Sequence, residues 1–213
     1  MLYRGFFVKI IYDMKLILSS LDFYNEKSKQ AIIDNIDKPL EDCRLLFIPN
    51  EKADDQRIYS NKYYNRLKKL GFSKENIYVF DDKKASNFVN LDIDLIYVGG
   101  GNTFATIKKL RDCGFDKELI RYMKSGVTYV GGSCGAHIVG QSIEHLTPFD
   151  ENYVNLTDFR GLGLVDGIFI VHYDAEEYGP ELRREVYQRL VNENKYKVYK
   201  LTNEDTLVVE DNK

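Results

Sequence analysis

The feature that most constrains this chain is an alternation of two periodicities. Short runs rich in β-branched and aromatic residues are predicted as strands at 16–19, 45–48, 77–80, 95–98, 128–130, 168–171, 198–201 and 207–209. Longer segments with apolar residues at helical spacing lie between them, at 26–36, 58–70, 104–110, 117–124 and 181–191. Strand and helix in turn predict a parallel sheet with helical crossovers. Several strands, such as Leu45-Leu46-Phe47-Ile48, show no polar alternation, as strands covered on both faces require. The fold class expected is α/β, a doubly wound, mostly parallel sheet sandwiched by helices.

At 213 residues the chain is long enough to build a full core without disulfides or a structural metal. Its cysteines, Cys43, Cys113 and Cys134, are odd in number, widely spaced and free of any C-x-x-C pairing. That speaks against both a disulfide framework and a zinc site, and no metal or cofactor is expected. The formal net charge is -3, with acids and bases interspersed, so nucleic acid is not an expected partner. Residues 1–13 are apolar and aromatic but interrupted by Arg4, Lys9 and Asp13, which excludes a membrane span and fits no signal peptide. A second methionine, Met14, opens the first core strand. The reading is one domain over residues 14–213, preceded by an extension of uncertain role, in a soluble cytoplasmic protein.

In open parallel sheets ligands bind beyond the carboxyl ends of the strands, where the following helices present their N-termini. Three segments stand at such ends: Gly99-Gly100-Gly101-Asn102-Thr103, Gly131-Gly132-Ser133-Cys134-Gly135-Ala136 and His172-Tyr173-Asp174. The second matches G-x-S-x-G after a buried strand, the setting in which a serine hydroxyl is exposed on a strained turn between small neighbours. A glycine-rich turn with Ser133 as a simple helix N-cap is the bland alternative. Register separates Ser133 from its neighbour. Centred on Ser133, the flanking residues are Gly131 and Gly135; centred on Cys134, they are Gly132 and Ala136, and the second glycine is lost. Cys134 is then left to offer its backbone N–H to an oxyanion hole.

A general base must reach the hydroxyl, and the chain has three histidines. His172 directly follows an apolar strand, whereas His137 lies on the presumed helix after Ser133 and His145 in a polar connection. His172 is the expected base. The carboxylate to orient it stays open among Glu204, Asp205, Asp150 and Asp174. In the glycine run, the backbone N–H groups of Gly100 and Gly101 can close on a substrate oxygen, and Asn102 is read with them as a substrate contact. The run lacks both nucleotide-binding glycine spacings. Arg183 and Arg184 open the helix at 181–191, where cations are disfavoured, and that placement points to an anionic partner. Pairing with Glu177, Glu181 or Glu185 is the alternative.

These motifs, with Lys15-Leu16-Ile17-Leu18-Ser19-Ser20 at the start and Asp158-Phe159-Arg160-Gly161-Leu162-Gly163-Leu164 further on, resemble the peptidase S51 family of dipeptidase E and cyanophycinase. The resemblance runs from about Met14 to the C-terminus. It implies a class I glutamine-amidotransferase-like (flavodoxin-like) fold with serine in place of the usual cysteine, and cleavage of short acidic peptides. It further implies Ser133 as nucleophile, His172 as base, Gly101 and Cys134 as oxyanion donors, Glu204 as third member to within a residue or two, and Arg183 as substrate-binding. Asp150 falls near another position important in that family. Cys134 departs from the usual alanine, and the segment 173–180 is shorter than the family's substrate loop.

The function expected is a serine exopeptidase acting on dipeptides or short peptides, with an acidic N-terminal residue preferred. Two other readings stay open: a glutaminase-like hydrolase using Cys134, and a catalytically silent binding module. The oligomeric state is undetermined, with a homodimer as one option.

Overall fold

The computed structural model of the protein describes residues 14–210, so the expected extension at 1–13 lies outside the described residues. The strands are β1 (Lys15–Ser19), β2 (Leu45–Ile48), β3 (Ile77–Val79), β4 (Leu95–Val98), β5 (Thr128–Gly132), β6 (Ile168–Ile170), β7 (Val198–Lys200) and β8 (Thr206–Glu210). The helices are α1 (Glu26–Asp34), α2 (Asp55–Ile58), α3 (Asn61–Leu70), α4 (Thr103–Asp112), α5 (Phe115–Lys124), α6 (Cys134–Ile138) and α7 (Pro180–Glu193). Six strands form one sheet in the order β3-β2-β4-β5-β1-β8. The first five run parallel, and β8 closes the edge antiparallel to β1.

The apolar runs are explained by two cores, one on each face. Leu16, Leu18, Leu46 and Ile96 point to the face covered by Phe104 of α4, Leu119 of α5 and Ile138 of α6. Their neighbours Ile17, Leu45, Phe47, Leu95 and Tyr97 point to the face covered by Ile32 of α1 and by Tyr63 and Leu67 of α3. Alternate side chains thus leave water in opposite directions, so a polar residue on either face would be buried.

Two departures from the sequence expectation have local causes. The helix expected over 58–70 breaks in two, because Ser60 takes an extended backbone and its hydroxyl accepts from Lys62 N at 3.1 Å, capping α3. The second concerns β6 and β7, which do not enter the main sheet. They pair parallel with each other, with Ile168 opposite Val198, and bury Ile168 and Ile170 against Val186 and Leu190 of α7.

Register sets the site. Gly131 of β5 lies opposite Leu18 of β1 on one side and Val98 of β4 on the other. The residues that follow these three strands therefore emerge together on one edge of the sheet. The small β6–β7 sheet brings His172 to the same edge from outside.

Candidate active site

Ser133 ends β5 and begins α6 with φ 49 and ψ -111, a conformation strained for a side chain with a Cβ. Its amide donates to Ser19 O at 2.9 Å, which ties the turn to β1. The flanking glycines are required by close approach. A Cβ at Gly131 would lie 2.6 Å from Gly135 O, and one at Gly135 would collide with Val98 O. Gly100, after β4, faces the serine: a Cβ built there would sit 3.5 Å from Ser133 Cβ and 3.8 Å from its Oγ. The Cys134 side chain turns the other way. Its thiol is buried, donates to Gly99 O at 3.0 Å, and is pushed well above the ordinary thiol value by that burial.

Ser133 Oγ lies 3.0 Å from His172 Nε2. His172 also has positive φ, 55, and its amide donates to Ser20 Oγ at 2.7 Å. On the far side of the ring, Nδ1 meets Asn203 Oδ1 at 2.7 Å and Ser20 Oγ at 3.2 Å. Asn203 Oδ1 can only accept, so Nδ1 carries the proton and Nε2 is left free to take one from the serine. Tyr178 stacks on the ring at 4.0 Å between centroids and 11° between planes. Burial lowers the His172 pKa below the ordinary 6.5, the Asn203 bond opposes that shift, and the Arg183 charge adds to it.

The side chain that meets Nδ1 belongs to Asn203, one residue before the expected third member. Glu204 does not reach the imidazole: its carboxylate is exposed and pairs with Lys27 at 2.9 Å. Asp205 is consumed inside its turn, accepting from Thr202 N and Thr202 Oγ1, each at 2.8 Å. In so tight a turn successive side chains diverge, and the inward one is Asn203. Asp150 stands on another wall, where its carboxylate accepts from Thr103 N at 2.8 Å at the start of α4. Asp174 Oδ1 accepts from Asn203 N at 3.4 Å and so supports the turn from outside.

Asn102 is likewise corrected. Its Oδ1 accepts from Ala105 N at 2.9 Å and its Nδ2 donates to Glu151 O at 2.8 Å, so its side chain caps α4 rather than facing a substrate. Gly101 holds φ 155, which side chains rarely adopt, and a Cβ there would lie 2.9 Å from Asn50 Cβ and press on the Glu51 carboxylate. Of the other histidines, the His145 ring bonds Phe169 O at 2.8 Å and the His137 ring bonds Thr103 Oγ1 at 3.2 Å; both are buried and neither ring has Ser133 as a partner, although the His137 amide donates to Ser133 O at 3.2 Å.

Around the serine lies a cleft of about 570 Å³, lined among others by Asp22, Gly100, Asp150, His172 and Arg183. That volume suits a small molecule or a short peptide. Arg183 is buried, donating through Nε to Val171 O at 3.0 Å and through a terminal nitrogen to Tyr178 O, with its plane 4.5 Å from the Phe149 ring centroid. Arg184 instead faces outward and pairs with Glu181 at 3.7 Å. Asp22 was not foreseen. It sits after β1 with φ 55, and its carboxyl fills the space a side chain at Gly132 would need. Burial raises its pKa to about 7, against the lowering effect of Tyr97, Arg66 and the Gly100 amide. Asn203 and Ser20 were also missed, although Ser20 belongs to the quoted opening run and Asn203 adjoins the acids considered. Among the described residues no group of three or more His, Cys, Asp or Glu converges on a metal-sized point, and no helix is long and apolar enough to cross a membrane.

The chain is similar to known proteins. The family model described as peptidase family S51 matches residues 16–213. An uncharacterized peptidase of Listeria monocytogenes is 27% identical over 189 residues, 86% of this chain and 90% of that protein. Peptidase E of Streptomyces coelicolor is 29% identical, over 79% of this chain and 68% of its own length. A Drosophila melanogaster protein described as a probable alpha-aspartyl dipeptidase is 27% identical, over 70% of this chain and 60% of its own length. A Listeria monocytogenes crystal structure, of a candidate peptidase E protein, superposes with a TM-score of 0.73 at 24% identity, covering 94% of this chain and 96% of that one. That likeness establishes the fold, the class I glutamine-amidotransferase-like sheet expected above. With a family match over nearly the whole described chain, the protein belongs to peptidase family S51.

Proposed function

We propose that this peptidase is a serine exopeptidase cleaving dipeptides or short peptides, with an acidic N-terminal residue preferred and the cytoplasm as its place of work. The observation that carries the mechanism is the 3.0 Å contact between Ser133 Oγ and His172 Nε2 on a strained strand-to-helix turn. In the reaction inferred, His172 takes the hydroxyl proton as Ser133 Oγ bonds to the scissile carbonyl carbon. The backbone N–H groups of Gly100, Gly101 and Cys134 are the candidate donors to the oxyanion. The C–N bond then breaks, the imidazolium returns its proton to the leaving amine, and water hydrolyses the acyl-serine by the same route.

Asn203 takes the place of a triad acid: a neutral amide fixes the tautomer without adding a counter-charge, as in Cys-His-Asn peptidases. The acidic preference is supported by Arg183. Among the described residues no carboxylate pairs with this buried guanidinium, and part of its donor fork remains for an anion. The description of one relative as an alpha-aspartyl dipeptidase supports the same preference.

The decisive experiment compares Ser133→Ala with Cys134→Ala, alongside fluorophosphonate labelling and peptide mapping. Ser133→Ala is expected to remove nearly all hydrolysis of Asp-Leu and all labelling. Cys134→Ala is expected to stay within about tenfold, because only its backbone is assigned a part. Loss confined to Cys134→Ala would move the nucleophile to the thiol.

A further inference from the structure

The cleft extends beyond the groups that the proposed chemistry uses. One wall, carrying Asp150 and Arg183, belongs to the sheet face covered by α4 and α6. The other belongs to the opposite face and is built from Phe47 after the middle of β2, Tyr63 and Arg66 on α3, and Tyr24 at the rim. Phe47 and Tyr63 are buried, with ring centroids 5.3 Å apart, and make an apolar floor. Tyr24 is 67% exposed, although it is aromatic and borders a binding cleft.

Arg66 is held but not satisfied. Its guanidinium lies 4.8 Å from the Tyr24 ring centroid and reaches the Tyr97 hydroxyl only at 3.5 Å. Among the described residues it is the arginine with neither a contact ion pair nor a backbone carbonyl as partner, its charge acting on the Asp22 carboxyl only through space: Arg44, Arg111, Arg121, Arg160, Arg184 and Arg189 pair with acids, while Arg57 and Arg183 bond carbonyls. A guanidinium stacked on a ring keeps its in-plane N–H groups free, and those match the two oxygens of a carboxylate. Tyr97 joins Arg66 to the reaction centre, because its hydroxyl stands 4.0 Å from where a Cβ on Gly99 would lie, next to the glycine that faces Ser133.

We propose that Arg66 receives the C-terminal carboxylate of the leaving residue, whose apolar side chain rests on Phe47 and Tyr63, so that the enzyme reads a free carboxyl terminus one residue beyond the scissile bond. The assignment rests on the peptidase reading and on the acyl residue lying toward Arg183, which leaves the opposite wall for the leaving group. Its substrate class is the dipeptide with an apolar C-terminal residue. An acidic-apolar dipeptide carries two carboxylates, and the cleft offers one under-used guanidinium on each wall.

The test measures hydrolysis of Asp-Leu and of Asp-Leu amide by the wild type, Arg66→Met and Arg66→Lys. Arg66 is half-buried on the surface of α3, and thermal melts of both variants are run beside the kinetics to check that the fold is kept. The wild type is expected to show a KM for the amide at least about tenfold above that for the acid, the scale of one lost charge-assisted hydrogen bond. Arg66→Met is expected to raise KM for Asp-Leu by a similar factor with kcat within about twofold, to leave the amide unchanged, and to be partly rescued by lysine. Equal KM for acid and amide in the wild type, or equal loss on both in Arg66→Met, overturns the assignment while the peptidase reading stands. A wild type that hydrolyses neither peptide sinks that reading and this assignment with it.

Discussion

Ser133, His172 and Asp22 all hold positive φ and all line the cleft, and for Ser133 and His172 the amide bonds to Ser19 O and Ser20 Oγ hold the strained backbone in place. For His172 the ring contacts also choose the tautomer, since Asn203 and Ser20 meet Nδ1 and leave Nε2 for the serine. Asn203→Ala is expected to lower kcat/KM by on the order of 10²-fold, the scale of a misdirected general base. Glu204→Gln is expected to stay within about twofold, because an exposed ion pair with Lys27 contributes little. The reverse ranking would return the triad to Glu204. The pH profile gives a second check. His172 acts only when neutral, and burial holds its pKa below 6.5, so kcat/KM is expected to rise with pH and be half-maximal below that value. Asn203→Asp places a charge beside the imidazolium and is expected to move the limb upward. A limb that does not move would show that residue 203 has no electrostatic hold on the base.

At the scale of elements, α4 carries more of the site than its helical periodicity reveals. Asn102 caps it, Asp150 accepts its first amide, and the glycine run before it packs against Ser133. Removing the cap by Asn102→Ala is expected to cost about 0.5–2 kcal/mol of stability in urea unfolding. Turnover of a dipeptide should fall by less than about tenfold, since the side chain faces the helix and not the cleft. A large rise in KM with unchanged stability would restore Asn102 as a substrate contact. The turn between β5 and α6 is less forgiving. Gly135→Ala drives a methyl into Val98 O, and the backbone of β4 cannot yield without disturbing the sheet. Loss of folded protein is expected, and a well-folded, active variant would show the elbow to be looser than the contact implies.

Across the whole molecule, the burial of all three histidines makes stability depend on pH. His137, His145 and His172 are each held below 6.5 by burial, His145 at about 4. The unfolded chain takes up their protons as pH falls through about 6.5, whereas the folded chain resists. Their contribution is therefore complete above that pH and is lost progressively below it. Asp22 acts in the opposite sense. With its pKa raised to about 7, its folded carboxyl keeps a proton that the unfolded chain releases above about 4, so its contribution is lost as pH rises from 4 to 7. Three groups against one decide the sign. The urea midpoint is expected to be lower at pH 5 than at pH 7.5; an equal or higher midpoint at pH 5 would mean that Asp22 outweighs the histidines.

The strands, the main helices and the position of Ser133 were legible in the chain because each rests on local chemistry. Apolar runs without alternation mark doubly covered strands, and the register of Gly131 and Gly135 around Ser133 records a steric need of the turn itself. His172 was legible too, as the histidine directly after a buried strand. The placement of β6 and β7 outside the main sheet was not, because an apolar run states that it is covered but not by what. Nor was the choice of Asn203 over Glu204, which depends on which side chain of a tight turn faces inward. Asp22, Ser20 and Asn203 come from opposite ends of the chain and acquire a role only when β1 and the turn before β8 are brought side by side. Local sequence determines backbone form and burial. The partner of a polar side chain is decided by contacts that close only in the tertiary structure.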